Sequence, residues 1–187
     1  MASKILQNLK RFSTCDIGDA LVKLKYPYGG SLDGLKMFSP KPGTTIYGPA
    51  ITVKMVESKS PGPSPPIHFA DANKNGHVIM SNSIYAQTKT ISSDKRVLVF
   101  ARGTSVLGSN TFTRASEIDI PLQFQGDLWI HPGDIMVGDE NGVVVVPPSL
   151  MEQVVDLCQE RFEIDEKTFA ALRAGEPMSP TILRLRK

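Results

Sequence analysis

The sequence predicts a single α/β domain: a capped helix near the start, several strand-length apolar runs through the middle, and a long helix near the end. Its 187 residues are 41% hydrophobic, enough for one core without disulfide or metal staples. Ser13-Thr14-Cys15-Asp16 opens the first predicted helix, with Ser13 as a cap and Asp16 in the electropositive first turn. Ile17, Ala20, Leu21 and Leu24 follow at helical spacing, and Pro27 with Gly29-Gly30 ends the stripe.

From Pro49 to Val56, Ile51, Val53 and Met55 alternate with Thr52 and Lys54, which predicts a strand with one face in the core. Ser58 to Pro66 includes the proline-dense run SPGPSPP and is expected to be an exposed connection. Val78 to Met80, Val97 to Phe100 and Ile120 to Phe124 are further strand-length runs. Ser81 to Lys95 is polar and Ser/Thr-rich and is expected to be a plain connector.

His131-Pro132-Gly133-Asp134 leads into Ile135-Met136-Val137, the turn Gly138 to Gly142, and four valines before Pro147-Pro148. Two strands around a tight acidic turn are expected. Asn141-Gly142 suits positive backbone angles, and the valine run suits a strand buried on both faces. Ser149 and Glu152 have capping-box spacing, and Leu150, Val154, Leu157, Cys158 and Phe162 continue a helical stripe toward Gly175 and Pro177. The charged later turns, Glu163 to Arg173, are expected to project toward another subunit. Leu183 to Lys187 is expected to be a frayed, solvated basic tail.

The net charge of +2, from 21 basic and 19 acidic residues, gives no pull toward nucleic acid. Met1 to Phe12 has no apolar core of signal-peptide length, and no run approaches a membrane span. Cys15 and Cys158 form no CxxC pair and are expected to be free thiols in a reducing compartment, so a cytoplasmic location is expected. His68, His77 and His131 lack zinc-ligand spacing, and no nucleophile elbow, phosphate loop or dinucleotide fingerprint appears. Gly138 to Gly142 lacks the alternating donors of a calcium loop. Arg102 to Ser105 with Gly108-Ser109 could cradle an anion, or be an ordinary Gly/Ser loop.

The blocks RFSTCDIGDAL, GPAITVK at Gly48 to Lys54, FARGTS at Phe100 to Ser105, and PGDIMVGDENGVVVVP at Pro132 to Pro147, in this order, resemble the class II 4-hydroxy-4-methyl-2-oxoglutarate aldolase family, also called regulator of ribonuclease activity A-like, and most closely its fungal-type branch. The resemblance implies a swivelling β/β/α-type domain, a homotrimer or hexamer, and a divalent cation, typically magnesium, binding a 2-oxo acid between subunits. A hard cation would stabilise the pyruvate enolate left by retro-aldol cleavage or by oxaloacetate decarboxylation, and an arginine would clamp the substrate carboxylate. A Schiff-base route would need a desolvated lysine, for which Lys54 is the candidate. Some relatives instead bind and inhibit RNA-processing machinery.

The family carries a substrate loop, a helix and a strand ending in Gly-x-x-Arg-Asp between blocks matching His77 to Ser81 and FARGTS. This sequence bridges those blocks with Ser81 to Val99 alone, so residues 1–187 read as one domain shortened between about 81 and 99. The Arg-Asp motif is absent, Asp94 and Arg96 stand in reversed order, and no metal or substrate ligand carries over. Such shortening is expected to damage folding as well as catalysis. Glu166 matches the acidic residue that the family's C-terminal helix lends to a neighbouring subunit, leaving an impaired aldolase or decarboxylase, or a non-enzymatic binding protein, as the two readings.

Overall fold

Alternation along one hairpin organises the fold of the computed structural model, which describes residues 2–38, 43–72, 78–82, 85–87, 99–106 and 109–186. Strands β10 (Ile135–Asp139) and β11 (Gly142–Val146) pair antiparallel, and every residue of β10 is buried. Ile135, Val137, Val144 and Val146 pack with Leu9, Phe12, Ile17, Ala20, Leu21, Met151, Val154 and Cys158. Met136, Val143 and Val145 turn to the other side, onto Leu32, Leu35, Ala50, Leu128 and Ile130. The valine run is thus buried on both faces, as expected.

The helices of the first cluster are α1 (Ala2–Leu9), α2 (Thr14–Lys23) and α4 (Met151–Arg173). Sequence reading did not anticipate α1. It did place the start of α2: the Ser13 side chain accepts from the Asp16 amide and the Asp16 carboxylate accepts from the Ser13 amide, a reciprocal capping box. Pro27–Gly30 forms a short 3-10 turn after α2. Gly30 sits there at φ 67°, where a Cβ would collide with the Val145 carbonyl, so the turn can lie directly on β11 only with glycine.

Strand β2 (Ile46–Glu57) is the longest in the molecule's described part and the hub of a mixed sheet ordered β11-β10-β2-β3, with β7 (Thr113–Ile118) also on β2. Its first residues pair antiparallel with β10, Ala50–Val53 pair parallel with β3 (Val78–Ser81), and Val53–Glu57 pair antiparallel with β7. The expectation of one buried face is corrected here: Ala50, Ile51, Thr52 and Val53 are all buried, with Ala50 packed into the cluster of Leu128 and Ile130. Thr52 tolerates burial by donating its hydroxyl to the Ile120 carbonyl at 2.6 Å.

Short strands complete the sheets: β1 (Lys36–Met37) with β5 (Phe100–Ala101), β4 (Tyr85–Gln87) with β6 (Gly103–Ser105), and β8 (Leu122–Gln125) with β9 (Leu128–Ile130). The supposed plain connector after Ser81 therefore contains a strand. Its remaining residues 88–95, with Val97 and Leu98, lie outside the described residues. A single helical turn, α3 (Ser109–Phe112), precedes β7.

Three further expectations are corrected. Asn141 does not adopt positive φ; Gly142 does, at 149°, and the two-residue turn is Glu140-Asn141. Ser149 does not cap α4, because Pro148–Leu150 form a 3-10 turn and Leu150 occupies the cap position without a side-chain bond. The basic end is not a frayed tail: Met178–Leu185 form α5, Arg184 pairs with Glu176, and Arg186 pairs with Asp165 at 2.6 Å. Asp165 also meets Arg161, which reaches Asp19 on α2, so the network ties α5 back to α4 and α2. Phe162 leaves the buried stripe and is 50% exposed.

Replacing Asp165 by Ala removes the acceptor shared by Arg161 and Arg186. We expect faster tryptic release of the segment after Arg173 and a global cost of about 1 kcal/mol; unchanged cleavage would show that α5 is held by other contacts.

Candidate functional site

The residues that sequence analysis offered for chemistry are dispersed over the fold and engaged locally. Lys54 stands near the end of β2 and pairs with Glu117 of β7 at 2.8 Å, its side chain 43% exposed. That wet, ion-paired ammonium lacks the desolvation a Schiff-base lysine requires. Arg102 lies between β5 and β6 with its guanidinium over the Phe124 ring, 4.9 Å from the centroid. Gly103–Ser105 are strand rather than open loop, and Gly108 lies outside the described residues.

The acidic turn holds the most heavily bonded carboxylate. Asp139 is buried at the end of β10 and accepts from the Thr14 amide at 2.9 Å and the Thr14 hydroxyl at 2.7 Å. The Asn141 amide adds a third bond at 2.8 Å. Burial alone would raise its pKa, but the Thr14 and Asn141 donors outweigh it and hold the carboxyl below its ordinary range. Asp134, equally buried before β10, accepts the His131 amide at 2.7 Å. With fewer donors, burial dominates over the bonds and charge of His131 and its pKa is raised.

An open cleft of about 280 Å³ adjoins this turn, walled by the α1–α2 junction at Lys10 to Ser13, by Thr44, Thr45 and Tyr47, and by Asp139 to Asn141. Sequence reading missed it, since its walls are contributed by three distant segments. Tyr47 closes one side by donating to the Lys10 and Phe12 carbonyls at 3.3 and 3.2 Å.

Glu166 is exposed on α4. Among the described residues no three His, Cys, Asp or Glu side chains converge on a point that could hold a metal ion. The donor set within these parts of the chain therefore does not fit a divalent cation. Asp94, Arg96 and His77 lie outside the described residues. His68 stacks on Phe69 and accepts the Ala70 amide, and His131 abuts Asp134, so both belong to turns. Both cysteines are free; burial first, and Asp16 and Asp19 second, push the Cys158 thiol up to about 12, so it stays protonated at neutral pH.

The family model described as RraA-like, Aldolase/RraA, matches residues 88–145. A putative 4-hydroxy-4-methyl-2-oxoglutarate aldolase of Halalkalibacterium halodurans is 35% identical over 68 residues, 36% of this chain and 31% of that protein. Residues 88–145 of the chain are thus similar to the RraA-like family. An uncharacterized protein from Pseudomonas syringae pv. tomato shares the fold of this chain with TM-score 0.80 and 24% identity, over 96% of each chain. Streptomyces coelicolor RraAS2, described as an unusual member of the RNase ES inhibitor RraA protein family, does so with TM-score 0.75 and 19% identity, over 91% of this chain and 98% of its own. Protein DlpA of Legionella pneumophila aligns at 24% identity with 93% of the chain. The chain spans about a third of the length of the curated relatives it matches, 31% and 32%. The mixed α/β fold with N-terminal and long C-terminal helices is thus that of the RraA-like structures.

The two buried aspartates make opposite predictions. Asp139, with its depressed pKa, contributes stability that is complete above the unfolded value near about 4 and is lost as pH falls through the folded value. Asp134, with its raised pKa, contributes stability that is complete below about 4 and is lost as pH rises through its folded value. Asp139→Asn is therefore expected to cost about 1.5–3 kcal/mol at pH 7, while Asp134→Asn is neutral or stabilising there. Urea unfolding at pH 7 and near pH 4 checks both; equal losses at pH 7 would contradict the assignment.

Proposed function

We propose that this RraA-like chain comes from the lineage of divalent-metal-dependent 4-hydroxy-4-methyl-2-oxoglutarate aldolases with oxaloacetate decarboxylase chemistry, and that it is impaired in forming pyruvate as written. The observation that carries this reading is the engagement of its candidate groups. Asp139 is saturated by Thr14 and Asn141, Lys54 is paired with Glu117, Arg102 covers Phe124, and among the described residues no three acids, histidines or cysteines, Glu166 included, converge on a point. An enolate-forming site needs the reverse: an arginine free to clamp a carboxylate, and carboxylates with lone pairs left for a cation.

Shortening between about residues 81 and 99 accounts for that shortage, because it removes the Arg-Asp pair that the resemblance would supply. A 2-oxo acid as ligand, magnesium as the lineage's cation, Glu166 reaching a neighbouring subunit, a trimer or hexamer and a cytoplasmic location all belong to this proposal.

The second reading is a non-enzymatic regulator that docks onto RNA-processing proteins. Phe162 and Phe169, 50% and 49% exposed on α4, favour it by leaving aromatic surface uncovered on one chain, as does the likeness to RraAS2.

Pyruvate release from oxaloacetate by folded protein, with magnesium and with chelator, is expected to stay at the metal-only background. Chelator-sensitive turnover well above that background would overturn the impairment. If the regulator reading holds instead, the chain captures a purified ribonuclease or helicase, and truncating α4 and α5 abolishes capture.

A further inference from the structure

The proline-rich connection between β2 and β3 is fastened by one cation. Arg114 in β7 sends Nη1 to the Pro63 carbonyl at 2.6 Å and to the Ser64 Oγ at 3.1 Å, and Nη2 to the Ser60 carbonyl at 2.7 Å. Weaker contacts run from Nη1 to the Ala115 carbonyl and from Nη2 to the Gly62 carbonyl. Among the described residues no carboxylate pairs with this guanidinium. Its described partners are neutral oxygens, so its full positive charge faces only dipoles. A planar guanidinium is better matched by a phosphate, whose oxygens accept several of its donors at once.

Ser64 sits where such a phosphate could be added. It is exposed, lies in a stretch that is neither helix nor strand, and is followed by Pro65, with Pro61, Pro63 and Pro66 keeping the segment extended. Ser60 also precedes a proline, but it is half-buried, and its carbonyl is the group that Arg114 holds. Of the two Ser-Pro hydroxyls in this connection, only that of Ser64 is both exposed and beside the cation.

We propose that Ser64 is a phosphorylation site and that Arg114 receives its phosphate. A Ser-Pro-directed protein kinase supplies the nucleoside triphosphate. The Ser64 Oγ attacks the γ-phosphorus, the new O–P bond forms as the bond to the β-phosphate oxygen breaks, the nucleoside diphosphate leaves, and the hydroxyl proton passes to the kinase's base. The product carries nearly two negative charges at neutral pH. Beside Arg114 they turn a cation–dipole hydrogen bond into a cation–anion pair and fasten the segment after β2 to β7.

The test uses the full chain, a purified Ser-Pro-directed kinase and ATP, with the modified residue located by mass spectrometry. Phosphate on Ser64 is expected, with proteolysis within residues 58–72 slowed about tenfold, the scale of one charge-assisted hydrogen bond. Arg114→Gln is expected to abolish that protection, and Ser64→Ala to abolish its gain. Because Arg114→Gln loosens the loop even without phosphate, the phosphorus-31 titration of the phosphorylated wild-type chain is read as well. Its second ionisation is expected below that of the free Ser-Pro phosphopeptide. Failure of the kinase to modify Ser64, protection unchanged by Arg114→Gln, or an unshifted phosphorus titration would each overturn the proposal.

Discussion

The β10–β11 hairpin sets the conditions for everything packed around it. Strand alternation sends Ile135, Val137, Val144 and Val146 to the helices, and Met136, Val143 and Val145 to the sheet's opposite cluster. A slip of one residue would exchange these sets, presenting each cluster with side chains shaped for the other. Each buried valine is worth about 1.5–3 kcal/mol relative to exposure, so even a local slip is costly. The register is also pinned at its tip: Asp139 reaches the amide and hydroxyl of Thr14, the first residue of α2. One carboxylate thus fixes the hairpin turn and the position of a helix that begins 125 residues earlier.

Local signals made part of this legible. The Ser13–Asp16 reciprocal cap is a four-residue pattern with one physical solution, and the structure contains it. The alternating run around Ile51 and the four valines identified strands for the same reason. Where tertiary contacts decide the outcome, the sequence misled. Thr52 reads as a solvent-facing partner in an alternating strand, yet it is fully buried because Ile120 offers it an acceptor. Ser149 and Glu152 have the spacing of a cap, but Pro147 and Pro148 lead the chain into a 3-10 turn and move the helix start to Met151. Arg186 looks like part of a solvated tail until its partner Asp165, 21 residues away, is known.

The candidate chemistry was less legible than the fold, and Asp134 and Asp139 show why. Both are buried aspartates at the two ends of β10, and nothing in their residue type separates them. Three close donors from Thr14 and Asn141 stabilise the ionised form of one, while the other has a single short amide bond, and their pKa values move in opposite directions. The number of donors that converge on a carboxylate is a property of packing. The same holds for Lys54, whose role turns on Glu117 arriving from β7, and for Arg102, whose cation settles on an aromatic ring.

These engagements bind the candidate groups into the scaffold itself. Among the described residues, neither core cluster draws a buried side chain from 81–99. Their members come from the helices, the hairpin, β2, β9 and the turns beside them. The interior is packed in this way, while the described residues hold no converging set of metal-ligating side chains.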